Sequence, residues 1–210
     1  VSHDLRNPLN IAEGYVDMMS ERVDGKAEDD LQEIQDAHMR MENIIDDALT
    51  LARQGKAITE TDELRLVEVA QDAWENVDTG DAELQIDVDS ETFIEGDKNR
   101  LLNVFENLFR NSVEHNDNDD TVTVRVGEDE GGFYVEDDGE GIPEDERDEV
   151  LEHGYTTSED GTGLGLSIVR DVVQAHGWEI DVKEGDEGGA RFEIDASIAA
   201  KGSEKSKQYN

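Results

Sequence analysis

The chain has 210 residues, of which 56 are acidic and 18 are basic, for a formal net charge of -38 at pH 7. A surface this negative repels nucleic acid and anionic membranes, so we expect neither as a direct partner. The absence of cysteine excludes disulfides and thiolate metal sites, and no apolar run approaches the roughly 20 residues of a membrane span. We expect a further segment upstream of Val1, and membrane contact only through it.

The first 54 residues carry the apolar spacing of a helical hairpin. The spacing alternates steps of four and three residues, which is typical of a helix that packs against other helices. Two helices alone cannot enclose a core, so we expect a homodimer in which two hairpins form a four-helix bundle. The stripe positions are Leu5, Leu9, Ala12, Val16, Met19 and Val23, then Leu31, Ile34, His38, Met41, Ile45, Ala48 and Ala52.

A second domain is predicted over residues 62–198. Residues 55–61 are polar and irregular and form a predicted linker, and residues 199–210 are a polar tail with no predicted function. The domain mixes helical and strand periodicity, which predicts an α/β two-layer sandwich. We predict helices over 67–77, 98–113 and 164–175, and strands near 64–66, 83–88, 92–95, 121–126, 132–136, 179–183 and 190–195.

Four sequence segments carry the functional signal. They are Ser2-His3-Asp4-Leu5-Arg6-Asn7-Pro8-Leu9, then Asn107-Leu108-Phe109-Arg110-Asn111, then Asp137-Asp138-Gly139-Glu140-Gly141-Ile142-Pro143 with Gly161-Thr162-Gly163-Leu164-Gly165-Leu166. In this order they resemble the phosphoacceptor box, the asparagine box and the two glycine boxes of sensor histidine kinases from two-component systems. The resemblance covers nearly the whole chain, and the acidic composition resembles that of proteins from salt-loving organisms.

The resemblance implies both a fold and a function. The fold is a dimeric helical hairpin followed by an ATP-binding domain of the GHKL, or Bergerat, type. The activity is autophosphorylation of His3 with ATP and Mg2+, followed by transfer of the phosphoryl group to an aspartate in the receiver domain of a response regulator. Phosphatase activity toward that regulator is a further implied activity. We expect this part of the protein to be cytoplasmic.

The first segment supplies the candidate phosphoacceptor. His3 lies on the outward side of the predicted seam, where a neutral imidazole nitrogen can attack a phosphorus atom. Asp4 can accept a proton from the ring and act as general base. Asn7 lies one helical turn after His3, and the resemblance implies that it positions water for dephosphorylation of the partner. Each residue also has an alternative interpretation when it is taken singly. His3 could be an ordinary surface histidine, and Asp4 could interact favourably with the positive end of the helix dipole. Asn7 could be a polar residue tolerated before Pro8.

Asn107 and Asn111 are one turn apart on a predicted helix, so both amides face one side. An amide can bind a hard cation through its oxygen and a phosphate through its NH2 group. The resemblance makes Asn111 the Mg2+ ligand and Asn107 its neighbour on the phosphate side. In the related gyrase and chaperone ATPases, a glutamate that activates water is typical at the position of Asn107. An amide cannot serve as that base, which favours transfer to histidine over hydrolysis.

The glycine boxes supply the candidate nucleotide site. Asp137 ends a predicted strand, where its carboxylate can accept a hydrogen bond from the adenine amino group, and Gly139 and Gly141 let the backbone approach the base. The second box precedes a helix whose N–H groups and dipole would face the triphosphate. The polar stretch 144–160 is typical of a mobile lid. The predicted nucleotide-binding residues of the second box are Gly161, Gly163, Gly165 and Leu166.

Two departures from the family pattern leave other functions open. Glu114 stands where many relatives carry a lysine near the phosphates, which predicts weaker or more salt-dependent ATP binding. Residues 150–153 replace a phenylalanine-rich lid box. The alternatives are an ATPase of the same superfamily with an incidental His3, and a dimeric scaffold with a degenerate nucleotide domain. Four further histidines are not spaced as a metal set, and we interpret them as structural or surface residues: His38, His115, His153 and His176.

Overall fold

The computed structural model describes residues 61–114, 121–129, 131–152, 163–196 and 198–200, with single positions at 12, 16, 34, 41, 45, 58 and 155. In the predicted hairpin, the five described positions are all helical. Within the described ranges, no helix combines the length and apolar character needed to cross a bilayer. Four predicted site residues lie outside the described residues: His3, Asp4, Asn7 and Gly161.

Eight strands and three helices make up the described part of the second domain. The helices are α1 (Leu66–Glu75), α2 (Lys98–Glu114) and α3 (Gly165–Ala175). The strands are β1 (Asp62–Arg65), β2 (Glu83–Asp87), β3 (Thr92–Gly96), β4 (Thr123–Asp129), β5 (Gly132–Asp137), β6 (Glu179–Gly185), β7 (Gly188–Asp195) and β8 (Ile198–Ala200).

The strands form two sheets. The larger has the order β2-β4-β5-β7-β6, and the smaller has the order β1-β3-β8. β2 and β4 pair in parallel, whereas the other described neighbours pair in antiparallel fashion. The helices cover one face of the larger sheet, and this arrangement confirms the predicted α/β sandwich.

Aromatic side chains join α2 to the sheet and to α1. Phe105 of α2 stacks on Phe133 of β5 with 5.2 Å between ring centroids, and it lies 5.7 Å from Phe109. Trp74 of α1 meets Phe109 edge-on at 5.1 Å. Phe105, Phe109 and Phe133 are fully buried, and burial of one such side chain contributes about 1.5–3 kcal/mol. These rings therefore set the position of α2 on the sheet.

The opposite face of the larger sheet holds an ion-pair network. Glu136 of β5 is 3% exposed and accepts hydrogen bonds from Arg125 of β4, at 2.8 Å, and from Arg191 of β7, at 3.0 Å. The Arg191 guanidinium also lies 3.5 Å from the centre of the Tyr134 ring. That ring covers Gly127, where a Cβ atom would lie 2.3 Å from it. Charge-assisted bonds are stronger than neutral ones, so the network ties three adjacent strands together.

The sequence analysis did not predict β8. This strand pairs with β3 and runs past the domain end expected at residue 198. Its three residues are too few to show a period, and its partner strand lies far earlier in the chain. The predicted helices and strands of the second domain are confirmed, with ends that differ from prediction by three residues or fewer.

His176 joins the end of α3 to the start of α2. Its Nδ1 bonds to the Val172 carbonyl at 2.8 Å, and its Nε2 accepts a hydrogen bond from the Asp97 backbone N–H at 3.1 Å. The ring is therefore neutral, with its hydrogen on Nδ1. Burial lowers the pKa of His176 below its ordinary value. Of the two roles left open for this histidine, structural or surface, its contacts support the structural one.

We expect the free energy of unfolding to fall as the pH drops below about 6.5, the ordinary histidine pKa. His176 then binds a proton in the unfolded chain but not in the folded chain, because protonated His176 cannot accept the hydrogen bond from the Asp97 N–H. Between pH 7.5 and 5.5 the loss would reach up to about 1.4 kcal/mol. Urea unfolding of the parent and of His176→Gln at both pH values measures this loss of unfolding free energy. Equal pH dependence in the two proteins would contradict the assignment.

Candidate active site

Helix α2 carries the predicted amide pair and is capped at its start. The Oδ1 atom of Asp97 accepts hydrogen bonds from the backbone N–H groups of Asn99, at 3.0 Å, and Arg100, at 3.2 Å. The apolar face of α2 is buried along its length, so the helix cannot turn about its axis without exposing the core. Its polar side chains near the C-terminal end therefore have a set direction: Asn107, Asn111 and Ser112.

Asn107 is 6% exposed and faces the second glycine box. Its Nδ2 donates hydrogen bonds to Asn103, to the backbone oxygen at 2.7 Å and to Oδ1 at 3.3 Å. Its own Oδ1 would lie 3.0 Å from a Cβ atom placed on Gly165. The amide nitrogen is thus occupied within the helix. The carbonyl oxygen is the group that Asn107 presents toward α3.

Asn111 follows one turn later on the same face and is half-buried. In the described part of the chain, no group of three or more His, Asp or Glu side chains could hold a metal ion by itself. Mg2+ commonly keeps several waters and binds one or two protein oxygens together with substrate phosphates. A single amide oxygen beside a triphosphate therefore fits this ion.

Asp137 closes β5 with a buried carboxylate. Its Oδ1 accepts hydrogen bonds from the backbone N–H groups of Gly139, at 3.1 Å, and Ala190, at 3.0 Å. Its Oδ2 accepts one from the Ser112 hydroxyl at 2.9 Å. Burial raises the pKa of Asp137 above its ordinary value, and the neighbouring Asp138 charge raises it further, whereas the three hydrogen-bond donors lower it. α2, β5 and β7 thus meet at one carboxylate.

Glycines leave room for the backbone around Asp137. Gly141 has φ +73°, and a Cβ atom there would lie 2.8 Å from the Gly189 carbonyl oxygen. Gly189 has φ +44°, and a Cβ atom there would lie 1.9 Å from the Asp137 carbonyl oxygen. Its N–H donates a hydrogen bond to the Gly139 carbonyl at 3.0 Å. The first glycine box therefore packs, backbone on backbone, against the start of β7.

The second glycine box leads directly into α3. Gly163 has φ +64°, which favours glycine. The helix begins at Gly165, and its preceding residue Leu164 makes no side-chain cap bond. First-turn N–H groups of an uncapped helix are suited to binding an anion. Leu166 is half-buried at this end of the helix.

The start of the predicted lid packs on the core. Val150 and Leu151 are 5% and 9% exposed, so the residues in place of a phenylalanine-rich box still supply an apolar contact. Arg147 Nε donates a hydrogen bond to the Ile142 carbonyl at 2.9 Å. Arg170 of α3 pairs with Glu152 at 2.8 Å. The predicted mobility of the remainder falls on residues that are mostly outside the described part.

Sequence reasoning missed three residues of this site. Asn103 belongs to a run of asparagines spaced by four with Asn107 and Asn111, and that spacing was a usable signal. Ser112 and Gly189 gave no comparable signal, because their contacts are with Asp137 on another element. Asp138, next to Asp137, accepts a hydrogen bond from the Thr123 N–H at 2.8 Å.

Two domain models match the chain. The His Kinase A (phospho-acceptor) domain matches residues 1–57, and the Histidine kinase-, DNA gyrase B-, and HSP90-like ATPase domain matches residues 96–199. Sporulation kinase A of Bacillus subtilis is 32% identical over 201 residues, which cover 92% of this chain and 33% of the relative. Sensor histidine kinase ZraS of Salmonella typhimurium is 28% identical over 209 residues, which cover 96% of this chain and 45% of the relative.

A solved structure extends the similarity to the fold. Full-length ShkA in complex with AMPPNP matches with a TM-score of 0.67 and 26% identity, over 95% of this chain and 45% of that one. The chain thus spans between a third and a half of the length of these relatives.

We expect Gly189→Ala to weaken binding of a fluorescent ATP analogue at least tenfold and to lower the thermal midpoint. The added Cβ atom would overlap the Asp137 carbonyl oxygen and lie 2.6 Å from its Oδ1. Gly80→Ala is the matched control, because Gly80 also has a positive φ, +53°, but a Cβ atom there meets nothing within 4 Å. The control should show only the backbone cost of about 1–2 kcal/mol. Equal effects of the two substitutions would contradict the packing argument.

Proposed function

Because the chain belongs to the histidine protein kinases of two-component systems, we propose that it moves the γ-phosphoryl group of ATP to His3 and then to a response-regulator aspartate. A dimerisation and phosphoacceptor hairpin over 1–54 and an ATP-binding domain over 62–198 divide this work, joined by the linker 55–61. The observation that carries the proposal is that α2 contacts both glycine boxes, through Ser112 and Asn107, in a chain that also matches the phospho-acceptor model.

The first reaction is an in-line displacement at phosphorus. A ring nitrogen of His3 attacks the γ-phosphorus, the bond to the bridging oxygen breaks, and ADP leaves with that electron pair. The proton on the ring passes to the Asp4 carboxylate. In the second reaction, an aspartate oxygen of the receiver domain attacks the phosphorus and the phosphorus–nitrogen bond breaks. The ring takes back a proton from Asp4 or water, which regenerates neutral His3.

The nucleotide site has a base end and a phosphate end. We assign Asp137 to the adenine amino group, with Gly139 and Gly141 beneath the base. Asn111 would hold Mg2+, which when bound neutralises charge on the phosphates, and Asn107 lies next to it. Backbone groups of the second glycine box and α3 bind the phosphates, and the residues assigned to this role are Gly161, Gly163, Gly165 and Leu166.

Transfer is favoured over simple hydrolysis. An amide at Asn107 cannot take a proton from water, and its nitrogen already donates to Asn103. Asn7 would position water for the opposite activity, which is dephosphorylation of the receiver domain. The ATPase alternative requires a general base for water at this helix, and Asn107 does not supply it.

The partners follow from the chemistry. The hairpin pairs with a second copy of itself, and its surface receives the receiver domain. Both ATP and receiver domains are found in the cytoplasm, where we place this part of the protein. With Glu114 exposed at the end of α2 and a net charge of -38, ATP binding would strengthen with salt that screens the repulsion between protein and triphosphate.

The proposal is tested with γ-labelled ATP and Mg2+ in molar potassium chloride. The parent should acquire label that is lost in acid and retained in alkali, as expected of a phosphoramidate. His3→Gln and Asn111→Asp should reduce labelling to background. The first substitution removes the acceptor nitrogen, and the second replaces the amide proposed to hold the ion with a carboxylate beside the triphosphate.

His38→Gln is the control, since it removes another histidine of the predicted hairpin, outside the proposed site, and should leave labelling unchanged. Nucleotide binding without label on the parent would favour the scaffold instead. Release of free phosphate without label would favour the ATPase.

A further inference from the structure

Ser112 is a buried residue on α2 with a direct bond to the site. It is 4% exposed, and its hydroxyl donates a hydrogen bond of 2.9 Å to Oδ2 of Asp137. A helical serine can instead bond to a carbonyl one turn earlier on its own helix. Here the hydroxyl instead donates to Asp137, the last residue of β5.

The hydrogen bonds of Asp137 divide unequally between its two oxygens. Each carboxylate oxygen can accept about two hydrogen bonds. Oδ1 receives two, from the N–H groups of Gly139 and Ala190, whereas Ser112 is the donor to Oδ2 in the described part of the chain. One acceptor position therefore remains on Oδ2. The hydrogen bond from the Ser112 hydroxyl fixes the direction in which that position points.

We infer that Ser112 is a positioning residue that sets selectivity for the exocyclic amino group of the base by orienting Oδ2 of Asp137. This inference rests on the proposed function, because it takes Asp137 to be the adenine contact. The two backbone donors hold Oδ1, but on their own they let the carboxylate pivot about that oxygen through coupled changes in the two side-chain torsions. The third donor removes that freedom, and it comes from the same helical turn as Asn111.

A second consequence follows from the neighbouring position of Ser112 and Asn111. The two residues are consecutive on a helix whose other face is packed in the core. The helix therefore sets the distance between the group that recognises the base and the group proposed to hold Mg2+. A nucleotide whose base binds Asp137 would therefore place its phosphates at the distance where Asn111 can hold the ion.

The test compares two nucleotides that differ in one group. ATP carries the 6-amino group, and purine riboside triphosphate has hydrogen in its place. Dissociation constants of both are measured by calorimetry, with Mg2+ and molar potassium chloride, for the parent, Ser112→Ala and Ser112→Thr. Thr92→Val is the matched control, because the Thr92 hydroxyl is also buried and donates to a carboxylate, Glu128 at 2.5 Å, away from the site.

We expect the parent to prefer ATP, and Ser112→Ala to bind ATP about tenfold more weakly while its affinity for purine riboside triphosphate changes less than twofold. Ser112→Thr keeps the hydroxyl and should retain most of the preference, and Thr92→Val should retain all of it. If Ser112 had a purely structural role, Ser112→Ala would instead weaken the binding of both nucleotides equally.

Four results would overturn the inference: equal weakening of both nucleotides in Ser112→Ala, an unchanged preference in that variant, loss of the preference in Ser112→Thr, or a parent with no preference. These results leave the proposed function standing as long as the parent binds ATP. A parent that binds neither nucleotide overturns the proposed function, and this inference with it.

Discussion

The burial of α2 between the larger sheet and the other two helices is the constraint on which the site depends. Successive residues of a helix are turned by about 100°, so the direction of each polar side chain follows from the apolar ones beside it. The stacking of Phe105 on Phe133 thereby also decides where Asn107 and Asn111 point. The rotation of this one helix therefore sets both a core contact and the direction of the two amides.

The two glycine boxes are distant in the sequence and are joined through that helix. Ser112 connects α2 to the first box by a hydrogen bond, and Asn107 lies against Gly165 of the second. Close backbone packing at Gly189 then ties the first box to β7. The two glycine boxes are therefore held in one arrangement by α2 and β7, which suits the proposed reaction because that reaction depends on positioning.

The acidic surface gives the few basic side chains a particular importance. Arg125 and Arg191 bind the buried Glu136, and loss of either would leave a carboxylate with too few partners inside the sheet face. Other arginines form more exposed pairs, such as Arg147 with Glu184, which contribute little individually. These three arginines are therefore engaged in pairs that hold the structure together.

The sequence by itself determined the helices and the longer strands of the second domain, because periodicity is a local property. It also singled out the glycine turns and the i, i+4 pair Asn107 and Asn111, whose roles at a nucleotide remain predictions. His3 and Asp4 remain predictions from the sequence. The tertiary structure alone decided that Ser112 and Gly189 belong to the site and that β8 pairs with β3. Their partners lie on other elements, and only the packed core brings such elements together. Whether a serine bonds within its own helix or to a distant carboxylate depends on that packing, which no short stretch of sequence contains.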